Sequence, residues 1–251
     1  MNRYLKNGIK ILSIALFLIC WQIVAKIIRN EYLFPDIFLI IKGGKEIVGS
    51  SFCFEAIFAT LKKLCTTILF STIFAILFSC IASKYRFFRV IILPYINFIK
   101  AVPTIALIII ILIWTRIEVV PVVVGIFIIF PILYDNILNS ILNINRDYLR
   151  LSQVFEISKF KQIINIYIPS VYFNVEKTLP SLIGLAFKVI IAGEVIAQDD
   201  NSIGGAILLS KIYLESNKIF AWVIIVIFIN YSIETLIKFG NYRVTKWKEN
   251  L

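Results

Sequence analysis

The sequence predicts an all-α, polytopic integral membrane protein with six transmembrane helices, on the strength of three observations. Of the 251 residues, 60% are hydrophobic and only 16% are charged, against roughly 45–50% and about 25% in soluble domains. The mean hydropathy is +0.90, too apolar for a chain that faces water on all sides. The apolar residues fall in blocks long enough to cross a bilayer core of about 30 Å, which takes roughly 20 helical residues. The absence of histidine removes imidazole acid-base chemistry, catalytic triads and most zinc sites. Cys20, Cys53, Cys65 and Cys80 include no CxxC pair and read as small apolar residues of packed helices.

The first block covers residues 9–28 and lacks a small-x-small cleavage pattern, so it reads as a retained span. The second, 64–83, contains no charged side chain. The third, 98–115, has Pro103 near its start, where the missing N–H frees a carbonyl and kinks a helix. Only Arg116–Glu118 separates it from the fourth, 119–138, so these two form a tight hairpin. Lys188 and Glu194 interrupt the fifth, 179–197, and Glu234 lies near the end of the sixth, 219–237.

Cytoplasmic loops of membrane proteins are enriched in Lys and Arg. With both termini inside, sixteen of the 26 basic residues fall on the cytoplasmic side, grouped between Arg3 and Lys10, Lys84 and Lys100, Arg146 and Lys177, and Lys238 and Lys248. That asymmetry accounts for the net charge of +11 without a nucleic-acid partner.

Two stretches outside the spans carry structure. In LFPDIFLIIKGGKEIV, Pro35 stops the preceding chain and Asp36 is a helix N-cap. The short interfacial helix that follows is expected to end at Gly43-Gly44. On the other side, residues 139–178 form a loop too long to be structureless. Leu149, Leu151, Val154 and Phe155 share one helical side. A second helix is expected to start after Ser158, a good N-cap, and to end at Pro169. Two such helices form either a docking surface or an amphipathic connector at the headgroups.

The sequence resembles the membrane subunits of bacterial binding-protein-dependent ABC importers, nearest the branch that handles nitrate, sulfonates, taurine and thiamine precursors. Ile166-Tyr167-Ile168-Pro169 is similar to the Ile-x-Leu-Pro that closes the family's cytoplasmic loop motif. Counting back from it places Arg150, Leu151 and Ser152 at the Glu-Ala-Ala positions and Glu156 at the glycine. Ser158-Lys159-Phe160 resembles the Ser-Arg-Trp that often follows. KAVPTIALIIIILIW, FPILYDNILNSI, IAGEVIA and SIGGAILLS match further family stretches in order. The departures are Arg150 for an acid, Leu and Ser for alanines, and Glu156 for a glycine that turns the chain at low steric cost.

The resemblance implies a type I ABC importer permease fold in a single domain, 1–251, lodged in the bacterial inner membrane. It implies a permease pair, here a homodimer, that forms the solute pathway, a cytoplasmic ATPase and an extracytoplasmic solute-binding protein. No cofactor and no covalent chemistry are implied, and the chain has no GxxxxGKS/T phosphate loop. The ATPase would dock on Arg150, Leu151, Ser152, Phe155, Glu156, Ser158 and Lys159. Charges inside a bilayer are costly and face a partner or a wet path, so Lys188 and Glu194 are pathway candidates; Pro103 is a third, because its freed carbonyl and kink suit a moving helix. Lys188 either contacts an anionic solute or pairs with Asp135, Glu234 or a carbonyl. Glu194 serves a gate, a helix end or the solute. The rival reading is a secondary transporter or channel working without an ATPase, but the halves show no inverted repeat.

Overall fold

In a bilayer every backbone N–H and C=O must be satisfied within the protein, and a chain rich in Ile, Leu and Phe meets that demand by coiling. The computed structural model describes residues 3–245, and among them all regular structure is helical. Lys246, Lys248 and Glu249 lie outside the described residues, as do the side chains of Arg3, Lys6, Lys10 and Arg243.

In chain order the helices are α1 (Arg3–Ile28), α2 (Ile37–Val48), α3 (Ser51–Lys84), α4 (Arg86–Ala101), α5 (Thr104–Trp114), α6 (Val120–Leu142) and α7 (Arg146–Val154). After them come α8 (Lys159–Gln162), a π turn over Ile163–Tyr167, α9 (Ile168–Ala197), α10 (Ile203–Ile212) and α11 (Ser216–Thr245). Four stretches are long and apolar enough to cross a membrane: Ser51–Lys84, Val120–Leu142, the continuous run Lys159–Ala197, and Ser216–Gly240. They contain the second, fourth, fifth and sixth expected spans. The first expected span falls in α1, whose apolar stretch Leu12–Ile28 is shorter.

Three local expectations need correction. The third span, 98–115, is not one helix: α4 and α5 meet at 102°. Val102 and Pro103 are both extended there, with ψ of 128° and 132°. Proline disfavours helical geometry in the residue before it, and here the effect makes a corner rather than a kink. Gly43-Gly44 does not end α2, which continues to Val48. Gly43 is interior because α11 passes close by: a Cβ there would lie 3.3 Å from the Asn217 carbonyl carbon, while one at Gly44 would sit in ordinary contact with Ala221 Cβ, at 3.8 Å. Pro169 does not end the loop's second helix. The widened π turn just before it, with Ile168 N–H donating to the Ile163 carbonyl, relaxes the crowding that a proline imposes on the preceding turn.

The described chain forms two compact units. One holds the chain up to Ala59 with Asp200–Ile229. In it Asp36 caps α2 as expected, accepting from Leu39 N–H at 2.8 Å. Trp21 of α1 donates to the Pro35 carbonyl at 3.2 Å and stacks near Phe34 and Phe220, with ring centroids 4.3 and 5.1 Å away.

The other unit holds Thr60–Asp199 with the chain from Asn230 on. Its centre is α6 against α9, with α5 beside them. Ile108, Ile111, Val120, Val124, Val189 and Ala197 make one buried cluster. The helices approach so closely that a Cβ at Gly193 would lie 3.0 Å from Pro121 Cα, and one at Gly125 2.7 Å from Thr67 Cγ2. The expected α5–α6 hairpin is present, turning over 115–119.

Candidate coupling surface and intramembrane charges

The loop between α6 and α9 builds its turn from backbone bonds. Asn145 starts α7 by accepting from Asp147 N–H at 2.9 Å. At the other end Glu156 N–H donates to the Gln153 carbonyl at 3.1 Å and Ile157 N–H to the Ser152 carbonyl at 2.9 Å. This reciprocal pair is a Schellman motif, which requires a left-handed residue and favours glycine. Glu156 fills that position with φ 48°. The turn that the glycine would make is therefore retained, with a side chain that pays a steric penalty of roughly 1–2 kcal/mol.

The same geometry aims apolar side chains outward. Leu151, Val154 and Phe155 are 51%, 76% and 72% exposed, and Phe160 beyond the turn is 72% exposed. Arg150, Glu156, Ser158 and Lys159 are exposed beside them. Ser152 alone of the expected docking residues is buried, with its hydroxyl donating to the Leu149 carbonyl at 2.7 Å. Ser158 precedes α8 as expected but makes no side-chain capping bond.

The ionisable groups of the spans sort into paired and unpaired. Glu194 is fully buried. It accepts from Thr60 Oγ1 at 2.9 Å and from Lys63 Nζ at 2.9 Å, so it does not stand open to a solute. Lys63 also pairs with Asp199, just past α9, where Gln198 turns the chain with φ 58°. A carboxylate in the last turn of a helix opposes the helix dipole, and Lys63 offsets it. Asp135 pairs with Lys100. Glu234 pairs with Lys238 at 3.5 Å and accepts from Asn230 at 3.2 Å.

Lys188 pairs with neither Asp135 nor Glu234, and it has no ion pair or hydrogen bond among the described residues. It is exposed on α9, in line with exposed Asn174, Lys177, Ser181 and Leu185. These positions recur every three or four residues and form one stripe. Pro103 marks the α4–α5 corner and precedes the first turn of α5.

Sequence reasoning missed Thr60, Lys63 and Asp199. The signal was present: Lys62-Lys63 stands just before the uncharged second span, and Asp199-Asp200 just after the fifth. Opposite charges at the ends of two spans that meet can neutralise each other.

The order of spans, the capped loop and the charged α9 stripe now stand beside a comparison with known families. The profile of the family described as "Binding-protein-dependent transport system inner membrane component" matches residues 68–246, well over half of the chain. The chain belongs to this family. The permease is thus a multi-pass membrane component of an ABC import system, a kind of subunit that is generally not catalytic itself. Such a system has ATPase and binding-protein partners. No curated protein matches the chain as a relative.

Proposed function

We propose that the permease forms the membrane pathway for a small anionic solute, of the nitrate, sulfonate or taurine kind, and is driven by a separate ATPase docked on residues 139–178. The exposed apolar face of α7 and α8 carries this reading. Leu151, Val154, Phe155 and Phe160 present large side chains to water on a segment whose backbone is fixed by its cap and turn. A loop that needed only to connect two spans would gain stability by turning those side chains inward. Arg150 and Lys159 flank the face and suit a partner groove with acidic rims.

The orientation that puts this loop with the ATPase also puts both termini in the cytoplasm, following the Lys and Arg asymmetry. Two copies close around one path, and the two units of each copy act as one permease domain. Lys188 supports the anionic solute: a cation on a spanning helix, without a carboxylate partner among the described residues, is costly against lipid and stabilised against water and an anion. ATP-driven closure moves the docked loop, and α8, the π turn and α9 run on as one helical stretch from Lys159 to Ala197, so the second half of the loop and the charged stripe share one rod. Both sites then bias the same two-state element.

Docking is tested by co-purifying the permease with its ATPase. Leu151→Asp and Phe155→Asp should each weaken capture more than tenfold while the permease still folds, and undiminished capture by both variants would remove the docking assignment.

A further inference from the structure

A second surface, in the unit built from α2 and the start of α11, has no part in the proposed coupling. Between these helices lies a groove of about 560 Å³, within the roughly 300–1,000 Å³ typical of ligand pockets. Its walls are Ile41 and Val48 on α2 and Ile224 and Ile225 on α11, with Gly44 between them and Lys45 as its one charged lining residue. Gly44 keeps the floor of the groove low, facing Ala221, whose Cβ would lie 3.8 Å from a Cβ at Gly44.

Its position and charge specify an occupant. Ile224 and Ile225 lie about 12–14 Å along α11 from its first residue, at 1.5 Å per residue, so the apolar walls lie in the first half of a membrane-crossing helix, with Lys42 and Lys45 on the neighbouring α2. α2 is amphipathic, burying Ile40, Gly43 and Ile47 and exposing Lys42 and Lys45. Those two lysines are one turn apart on the same face. The nearby carboxylates Glu46 and Glu215 pair with Lys218, at 4.0 and 2.7 Å, whereas Lys42 and Lys45 have no ion pair among the described residues. An apolar slot beside two unneutralised cations fits an amphiphile with an apolar chain and an anionic head.

We infer that this groove holds one acyl chain of an anionic phospholipid, with its phosphodiester on Lys42 and Lys45. The site needs only that the chain is embedded in a bilayer. It stands whether or not the ATPase docks on α7 and α8.

The test uses the full-length permease in detergent, titrated with phosphatidylglycerol or with phosphatidylcholine of identical chains. Bound lipid is read by native mass spectrometry and by quenching of tryptophan fluorescence with brominated chains. Phosphatidylglycerol should bind about thirtyfold more tightly, from about fivefold per lysine near the surface. Lys42→Gln with Lys45→Gln, two exposed changes that leave the fold intact, should erase that preference. Gly44→Phe should fill the groove and suppress quenching by either lipid. Equal binding of the two lipids, or a preference that survives the double lysine change, would overturn the assignment. So would self-cross-linking of Val48→Cys in vesicles, in a background with the native cysteines changed to alanine, because a second copy would then cover the groove.

Discussion

Lys63 sits between two carboxylates, 2.9 Å from Glu194 and in contact with Asp199, and so ties the start of one span to the end of another 131 and 136 residues away. Glu194 has no exposed surface, and removing Lys63 takes a cation away from a buried carboxylate. Lys63→Met should therefore destabilise the permease by about 3–5 kcal/mol, read as a shift of the chemical unfolding midpoint in detergent. Adding Glu194→Gln should recover part of that loss, because residues of one network couple. Two losses that simply add would show that the contact contributes nothing.

Glu156 makes the opposite prediction. Its left-handed backbone disfavours any side chain with a Cβ, while glycine loses more freedom on folding. Glu156→Gly should stabilise the loop by about 0.5–1 kcal/mol, with slower hydrogen exchange at the Ile157 amide. Glu156→Val should destabilise by more than that. A neutral or destabilising glycine would mean that the Glu156 side chain is itself a needed contact.

The close packing of α6 gives a paired test. Gly125→Ala places a methyl 2.7 Å from Thr67 Cγ2, and overpacking of this kind costs about 1–3 kcal/mol. Thr67→Ser removes the opposing methyl and should recover part of that loss, because the hydroxyl 3.1 Å away remains. Gly193→Ala instead meets the Pro121 backbone at 3.0 Å, so no side-chain change at that contact should restore the melting temperature of that variant.

Lys188 is exposed and unpaired among the described residues, so substitution there should change function more than stability. Lys188→Gln should shift the unfolding free energy by less than about 0.5 kcal/mol and lower uptake of an anionic solute at least tenfold in the assembled importer. A large loss of stability, with uptake per folded molecule unchanged, would assign Lys188 to packing.

Much of this arrangement was legible in the residues because local chemistry decides it. Apolar blocks locate the crossing helices, Asp36 caps α2 through its own side chain, and Arg116–Glu118 allows only a short turn. The resemblance to the family's loop motif also placed the turn at Glu156. What failed was set by tertiary contact. Gly43-Gly44 looks like a stop signal, yet Gly43 admits the backbone of α11. Pro169 looks like a terminator, yet the π turn before it accommodates the ring. Phe98–Thr115 reads as one apolar block, because hydropathy does not register a 102° corner at Val102-Pro103. Lys63 and Asp199 stood out as opposite charges at span ends, but no local pattern says which spans meet.

The most direct measurement is uphill uptake of solute by the permease in sealed vesicles, with binding protein outside, with and without its ATPase and ATP inside. Accumulation should require both the ATPase and ATP, and it should vanish with Phe155→Asp. Accumulation by the permease alone, driven by an ion gradient, would contradict the account of a conduit worked by a separate motor.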